Sequence, residues 1–203
     1  MSMRGAKANK SSIGVTSDRF SEFCKPSSHS DIILLVEENR VYCNKIILSC
    51  ASPVFERMYL GGFIERKQQE ISLPGKKYTD FLFFLECIYP STLAEITDEN
   101  VDAVLPLAEE YQVTQLKKRC DCFIERRITH IDKEHGQGIK RGYVIKICRE
   151  IIHFLQLADH FNLAEACKMA IEKLVYYPWS ILQSDVQEAN ISDKTKNAKR
   201  ISI

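Results

Sequence analysis

Apolar residues change their spacing along this chain, and the changes divide it. Ile32, Ile33, Leu34, Leu35 and Val36 form an unbroken β-prone run after Asp31. Glu37-Glu38-Asn39 supplies a turn before Arg40-Val41-Tyr42-Cys43, so the two runs read as a hairpin whose first strand is buried on both sides. Residues 45–51 and 53–60 read as two short helices broken at Ser52-Pro53. Pro53 suits the first helical position, where its missing N–H costs nothing, and Gly61-Gly62 ends that helix. Glu70-Ile71-Ser72-Leu73 alternates as a further strand, closed by Pro74-Gly75.

Beyond this point the period becomes helical. Phe81, Phe84, Leu85 and Ile88 share one face of a helix that stops at Tyr89-Pro90. Val101, Val104, Leu105, Ala108 and Tyr111 form a second stripe, with Thr97 and Asp98 as caps and Pro106 inside it as a kink or a lost backbone bond. Leu116, Cys120, Phe123 and Ile124 form a third stripe after Thr114. Residues 127–142, with Gly136, Gly138 and Gly142 among His, Lys and Arg, read as a loop. A further pair follows: Val144, Cys148, Ile151, Ile152 and Leu155, then Leu163, Ala166, Cys167, Ala170, Ile171 and Leu174. Strands first and helices later make an α+β layout.

Two helix-to-helix junctions resemble each other at a spacing of fifty residues. Leu107-Ala108-Glu109-Glu110-Tyr111-Gln112-Val113 is echoed by Leu157-Ala158-Asp159-His160-Phe161-Asn162-Leu163. Two copies are too few for a solenoid, and they indicate that the second helix pair stacks on the first.

Composition narrows the function classes. The chain has 203 residues, 45% hydrophobic and 27% charged, with a net charge of +1. That is an ordinary globular balance, and no bulk charge points to nucleic acid or a membrane surface. No apolar run is long enough to span a bilayer, and the basic stretch from Met1 to Ser12 leads into no apolar segment of a secretory signal. Of the eight cysteines, Cys87, Cys120, Cys148 and Cys167 lie among apolar residues of helical patterns. Free thiols in a reducing cytosol or nucleus are therefore expected, and the sequon Asn190-Ile191-Ser192 is expected to go unused. Residues 1–16 read as a flexible lead and 184–203 as a polar tail, in which Arg200-Ile201-Ser202 is a short basic-Ser motif.

No catalytic pattern emerges. His29, His130, His135, His153 and His160 are scattered, and none is set beside a cysteine as a base. Cys120 and Cys122 fall on different faces of a helix, there is no C-x-x-C pair, and no glycine loop cradles a phosphate. No enzyme, metal or cofactor is expected. The helix-turn-helix look of the two junctions leaves a DNA-binding alternative, carried by Gln115, Lys117, Lys118 and Arg119.

The order of short motifs over residues 17–126 resembles the BTB/POZ family. The pieces are Ser30-Asp31-Ile32-Ile33-Leu34, Asn44-Lys45-Ile46-Ile47-Leu48-Ser49, Ser52-Pro53-Val54-Phe55, Cys87-Ile88-Tyr89 and Leu107-Ala108-(x2)-Tyr111-(x)-Val113. The chain looks most like the BTB and post-BTB regions of MATH-BTB and speckle-type POZ proteins, whose following helix pair resembles residues 143–183. The resemblance implies a short three-stranded sheet packed on a helical cluster, then a C-terminal helix pair. It also implies a buried polar cluster of Asp31, Asn44 and Lys45, with Asn44 standing where the family usually has His. MATH, Kelch and zinc-finger modules have no room in these 203 residues.

The same resemblance implies partners. Phe63-Ile64-Glu65 matches the hydrophobic-x-acid pattern of members that bind cullin-3, with Phe63 filling a pocket and Glu65 orienting the loop, flanked by Met58, Tyr59 and Tyr89. A homodimer interface would use the segment before Asp31 and the first short helix. Phe20 and Phe23 lie three apart in the otherwise polar stretch from Asp18 to Pro26, with little local core to enter. Ile47 would meet them across the two-fold. The expected function is a non-enzymatic, homodimeric substrate adaptor of a cullin-3 RING ubiquitin ligase, its substrate protein unspecified. The alternative is an oligomerisation scaffold or corepressor-type module.

Overall fold

The computed structural model describes residues 19–60, 69–131, 141–193 and 195. The lead at 1–16, Gly61-Gly62, Phe63, Glu65, His135 and the Arg200-Ile201-Ser202 motif lie outside them. The described residues group into two compact units that divide between Leu93 and Ala94. All the strands lie in the first, and the class is α+β.

The first unit opens with a one-turn helix, α1 (Ser21–Cys24), followed by β1 (Ile32–Val36) and β2 (Asn39–Cys43). Helices α2 (Lys45–Ala51) and α3 (Pro53–Leu60), strand β3 (Glu70–Ser72) and helix α4 (Tyr78–Ile88) complete it. The sheet order is β2-β1-β3, with β1 antiparallel to β2 and parallel to β3. Leu34 sits opposite Val41 on one side and Ile71 on the other. Ile32, Leu34 and Val36 are buried while Ile33 and Leu35 are half-buried, so β1 is fully covered on one face only, not both.

The hairpin turns on Glu37 and Glu38, both with positive φ (47° and 66°). A two-residue hairpin loop needs that hand to match strand twist. Asn39 braces it by donating from Nδ2 to the Glu37 carbonyl at 2.8 Å, and Glu37 Oε2 accepts the Tyr78 N–H at the start of α4. Helix α4 carries more than the single stripe expected. Phe81, Leu82, Phe84, Leu85, Glu86 and Cys87 are all buried, and Ile88 is only half-buried. A helix covered on most sides needs cover beyond the sheet, and Phe20 provides part of it.

The second unit holds α5 (Val101–Glu110), α6 (Thr114–His130), α7 (Arg141–His160), α8 (Ala164–Val175) and α9 (Trp179–Glu188). Helix α6 packs on α8, which places the second helix pair against the first as the repeated junctions indicate. Asp121 of α6 accepts the Ala166 N–H of α8 at 3.3 Å. Arg127 of α6 bonds Asp98 at 2.8 Å and Glu150 of α7 at 2.6 Å.

Three expectations for this unit need correction. Residues 127–130 and 141–142 are helical, so the expected loop does not hold at either end of 127–142; the contacts of Arg127 and Ile128 outweigh the polar composition there. The segment from 184 is not merely a polar tail, because Val186, Ala189, Ile191 and Thr195 are buried. Its few apolar residues are widely spaced, and only packing shows that they share a side. Finally, neither Thr97 nor Asp98 caps α5 with its side chain. Asn100 holds the cap position, accepting from the Thr97 N–H at 2.8 Å and donating to the Glu95 carbonyl at 2.9 Å, while Asp98 pairs with Arg127.

Candidate functional site

Asp31, Asn44, Lys45 and Tyr89 meet at the N-terminal end of α2. Asn44 sits at its N-cap with extended backbone, and its Oδ1 accepts the N–H groups of Ile46 (3.0 Å) and Ile47 (3.3 Å). Its Nδ2 donates to the His29 carbonyl at 2.7 Å. Asp31 Oδ1 accepts the Lys45 N–H at 2.7 Å, and Lys45 Nζ lies 5.8 Å from the centre of the Tyr59 ring. Asp31, Asn44 and Lys45 do come together, but not as a buried cluster: Asp31 is exposed and the other two are half-buried. Asn supplies directly what a helix start needs, an acceptor for two orphan N–H groups.

Tyr89 anchors this end from below. Its hydroxyl accepts the Asn44 N–H at 2.9 Å, and its ring meets Phe23 edge-on at 4.9 Å. Burial first, and then the neighbouring Cys43 thiol, push the Tyr89 hydroxyl well above the ordinary phenol range. Burial likewise drives the Cys43 thiol up to about 12. Both stay protonated, which leaves the thiol without nucleophilic character. The eight cysteines are free thiols.

Tyr89, Cys43, Asn44 and Ile47 line a cleft of about 490 Å³ together with Glu22, Lys25 and Pro26. Beside it, Ile46 is 69% exposed. Sequence reasoning passed over Ile46, yet a signal was present. Three successive apolar residues on a helix sweep about 200°, so Ile46, Ile47 and Leu48 cannot all face one core. Leu48 is buried, Ile47 half-buried and Ile46 outside.

The other expectations divide. Met58 is half-buried, whereas Tyr59 and Tyr89 are each 4% exposed. Tyr59 stacks on Phe55 at 5.9 Å, so both tyrosines support the surface from within and do not form it. Phe20 and Phe23 have a local core after all. They are 3% and 1% exposed, with Phe20 edge-on to Phe83 at 5.5 Å and Phe23 against Tyr89. Arg19 packs over the Phe20 and Phe83 rings and pairs with Glu86 at 3.1 Å. The polar sequence around the two phenylalanines concealed this, since their apolar partners lie some sixty residues away, on α4 and at its C-cap.

Two cations of the DNA-reading alternative are engaged within the second unit. Lys117 pairs with Glu109 at 2.6 Å, and Arg119 donates to the Ala94 carbonyl. Among the described residues, no three His, Cys, Asp or Glu side chains are grouped to hold a metal ion, and no helix is long and apolar enough to cross a membrane.

Comparison with known proteins decides the family. The model of the BTB/POZ domain matches residues 20–128. The chain belongs to the BTB/POZ domain family. Among curated relatives, it is 28% identical over 114 residues to BTB and MATH domain-containing protein 36 of Caenorhabditis elegans, covering 55% of this chain and 35% of that protein. It is 36% identical over 95 residues to BTB and MATH domain-containing protein 15 of the same organism, covering 47% and 34%. The chain thus spans about a third of the length of each. The solved BTB domain of human gigaxonin aligns over 58% of this chain and 99% of that one, at 18% identity and a TM-score of 0.40. This BTB/POZ chain carries a protein-interaction module.

Proposed function

We propose that this BTB/POZ chain is a homodimeric, non-enzymatic adaptor that presents a substrate protein to a cullin-3 ubiquitin ligase in the cytosol or nucleus. The observation that carries the reading is the α2–α3 helix pair, which ends at Leu60, directly before the Phe63-Ile64-Glu65 triplet. Phe63 is the anchor for a pocket on the cullin, and Glu65 pairs at the rim, where a charge sets orientation and on-rate more than affinity. Met58 extends the apolar patch. Tyr59 and Tyr89 hold the surrounding helices in place. For the dimer, the exposed Ile46 and the half-buried Ile47 are the contact residues, and Phe20 and Phe23 shape that surface by packing beneath it.

Calorimetric titration of the full chain with the cullin-3 N-terminal domain tests the ligase step. Saturable binding by the wild type is expected, weakened at least tenfold by Phe63→Asp. A folded wild-type dimer that gives no heat and no complex would sink the adaptor reading and leave a BTB oligomerisation scaffold. Sedimentation of Ile46→Asp tests the dimer: the expected result is a monomer, and an unchanged sedimentation coefficient rejects this face.

A further inference from the structure

One carboxylate in the second unit gathers the segment after α9. Asp159 Oδ2 accepts the Ser192 N–H at 2.6 Å, and Oδ1 accepts the hydroxyls of Ser192 (2.8 Å) and Thr195 (2.6 Å). The Ser192 Oγ also lies 3.0 Å from Thr195 Oγ1 and accepts the Thr195 N–H at 3.4 Å. Ala189 and Ile191 are buried on either side of Asn190, whereas Ser192 itself is exposed. Ser192 is therefore an exposed residue of the segment whose hydroxyl is part of the attachment.

The two junctions show why Asp159 is available. At the equivalent place in the first copy, Glu109 pairs with Lys117. The counterpart of Lys117 in the second copy is Cys167, which offers no cation. The Asp159 carboxylate turns to Ser192 and Thr195 instead. Burial alone would raise its pKa, but the Thr195 and Ser192 hydrogen bonds and the nearby His160 hold it below the ordinary carboxylate range. Asp159, Ser192 and Thr195 line a groove of about 620 Å³ together with Cys167 and Ile171 of α8.

We propose that Ser192 is a phosphorylation site whose modification unlatches segment 189–193 and opens this groove. A protein kinase would form the bond between Ser192 Oγ and the γ-phosphorus of ATP and break the bond from that phosphorus to the β–γ bridging oxygen. ADP leaves, and the hydroxyl proton passes to the kinase base or to water. The product loses the O–H that Asp159 accepts and gains about 1.5 to 2 negative charges beside that carboxylate. Lys168, which also lines the groove, offers the phosphate a cationic partner. The latch operates whether or not the chain meets cullin-3.

Site-specific incorporation of phosphoserine at 192 in the full chain, followed by amide hydrogen exchange, tests this. The Ser192 amide and its neighbours in 189–193 should exchange at least tenfold faster than in the unmodified chain. Asp159→Asn should reproduce a smaller acceleration without phosphate, while the amides of Leu163 and Ala166 keep their protection. Unchanged protection of 189–193 in the phosphorylated chain would overturn the proposal. Equal loss at Leu163 and Ala166 would overturn it too, because the effect would then be general unfolding of the unit.

Discussion

The Leu107–Val113 and Leu157–Leu163 junctions adopt one geometry and do different work. In the first, the Tyr111 N–H reaches the Leu107 carbonyl at 2.9 Å and the Val113 N–H reaches Ala108 at 2.8 Å. In the second, Phe161 reaches Leu157 at 3.0 Å and Leu163 reaches Ala158 at 2.8 Å. Gln112 and Asn162 take the left-handed conformation, with φ of 56° and 54°. Both turns end a helix by satisfying its last carbonyls and start the next at once. What differs is the side chains. Tyr111 is 3% exposed and Phe161 half-buried. Glu109 has a cation one helical turn into the next helix, whereas Asp159 holds a distant segment. Backbone form is local and repeats; the use of an acid depends on what the rest of the chain brings to it.

The sharpest way to break the parallel is to truncate the aromatic of each turn. Tyr111→Ala should cost about 3–5 kcal/mol, as deletion of a buried ring does. Phe161→Ala should cost about 1–2 kcal/mol because less apolar area is lost from cover. Urea denaturation of the two variants measures the gap, and equal losses would show that the junctions share one environment.

The acids come next. Asp159→Asn should cost about 1 kcal/mol through weakened charge-assisted hydrogen bonds. Glu109→Gln removes only an exposed ion pair and should stay below about 0.5 kcal/mol. The same denaturation assay ranks them.

At the turn residue itself, Gln112→Gly should stabilise by about 0.5 kcal/mol, since a long side chain in the left-handed region is strained. Asn162→Gly should be close to neutral, because Asn tolerates that conformation. A gain at both positions would mean that the two turns are equally strained.

The smallest effect is one of sign across acid pH. The folded-state pKa of Asp159 is lowered, so its contribution is present above the unfolded value of about 3.9 and is lost as pH falls through the folded value. Asp121 is raised, by burial first and by Glu165 beside it, against the Ala166 N–H and Lys117. Its contribution is therefore present below the unfolded value and is lost as pH rises through the folded one. Denaturation midpoints should show Asp159→Asn losing most against wild type at the upper end of the carboxylate range and Asp121→Asn gaining there. Parallel pH profiles for the two variants would refute the assignment.

Much of this molecule was legible in spacing alone. The hairpin about Glu37-Glu38, the break at Ser52-Pro53, the end of α4 at Tyr89 and the two matching junctions all follow from short-range rules, which a local sequence carries in full. Their apolar neighbours likewise foretold the burial of Cys87, Cys120 and Cys148 in helices, while Cys167 is half-buried. The ordered motifs from Ser30 to Val113 were enough to indicate the BTB/POZ family.

Tertiary structure alone decided what each exposed or polar position does. Phe20 and Phe23 read as unpartnered because their cover, Phe83 and Tyr89, is distant in sequence. Asp31, Asn44 and Lys45 were expected as a buried cluster, yet Asp31 is exposed and the other two are half-buried, since a helix start can draw its hydrogen bonds without full burial. Tyr59 and Tyr89 were assigned to a contact face and are buried. Ser192 looked like part of a tail until packing set it against Asp159. Local periodicity reports which side of an element is apolar, and only the folded chain determines what lies across from it.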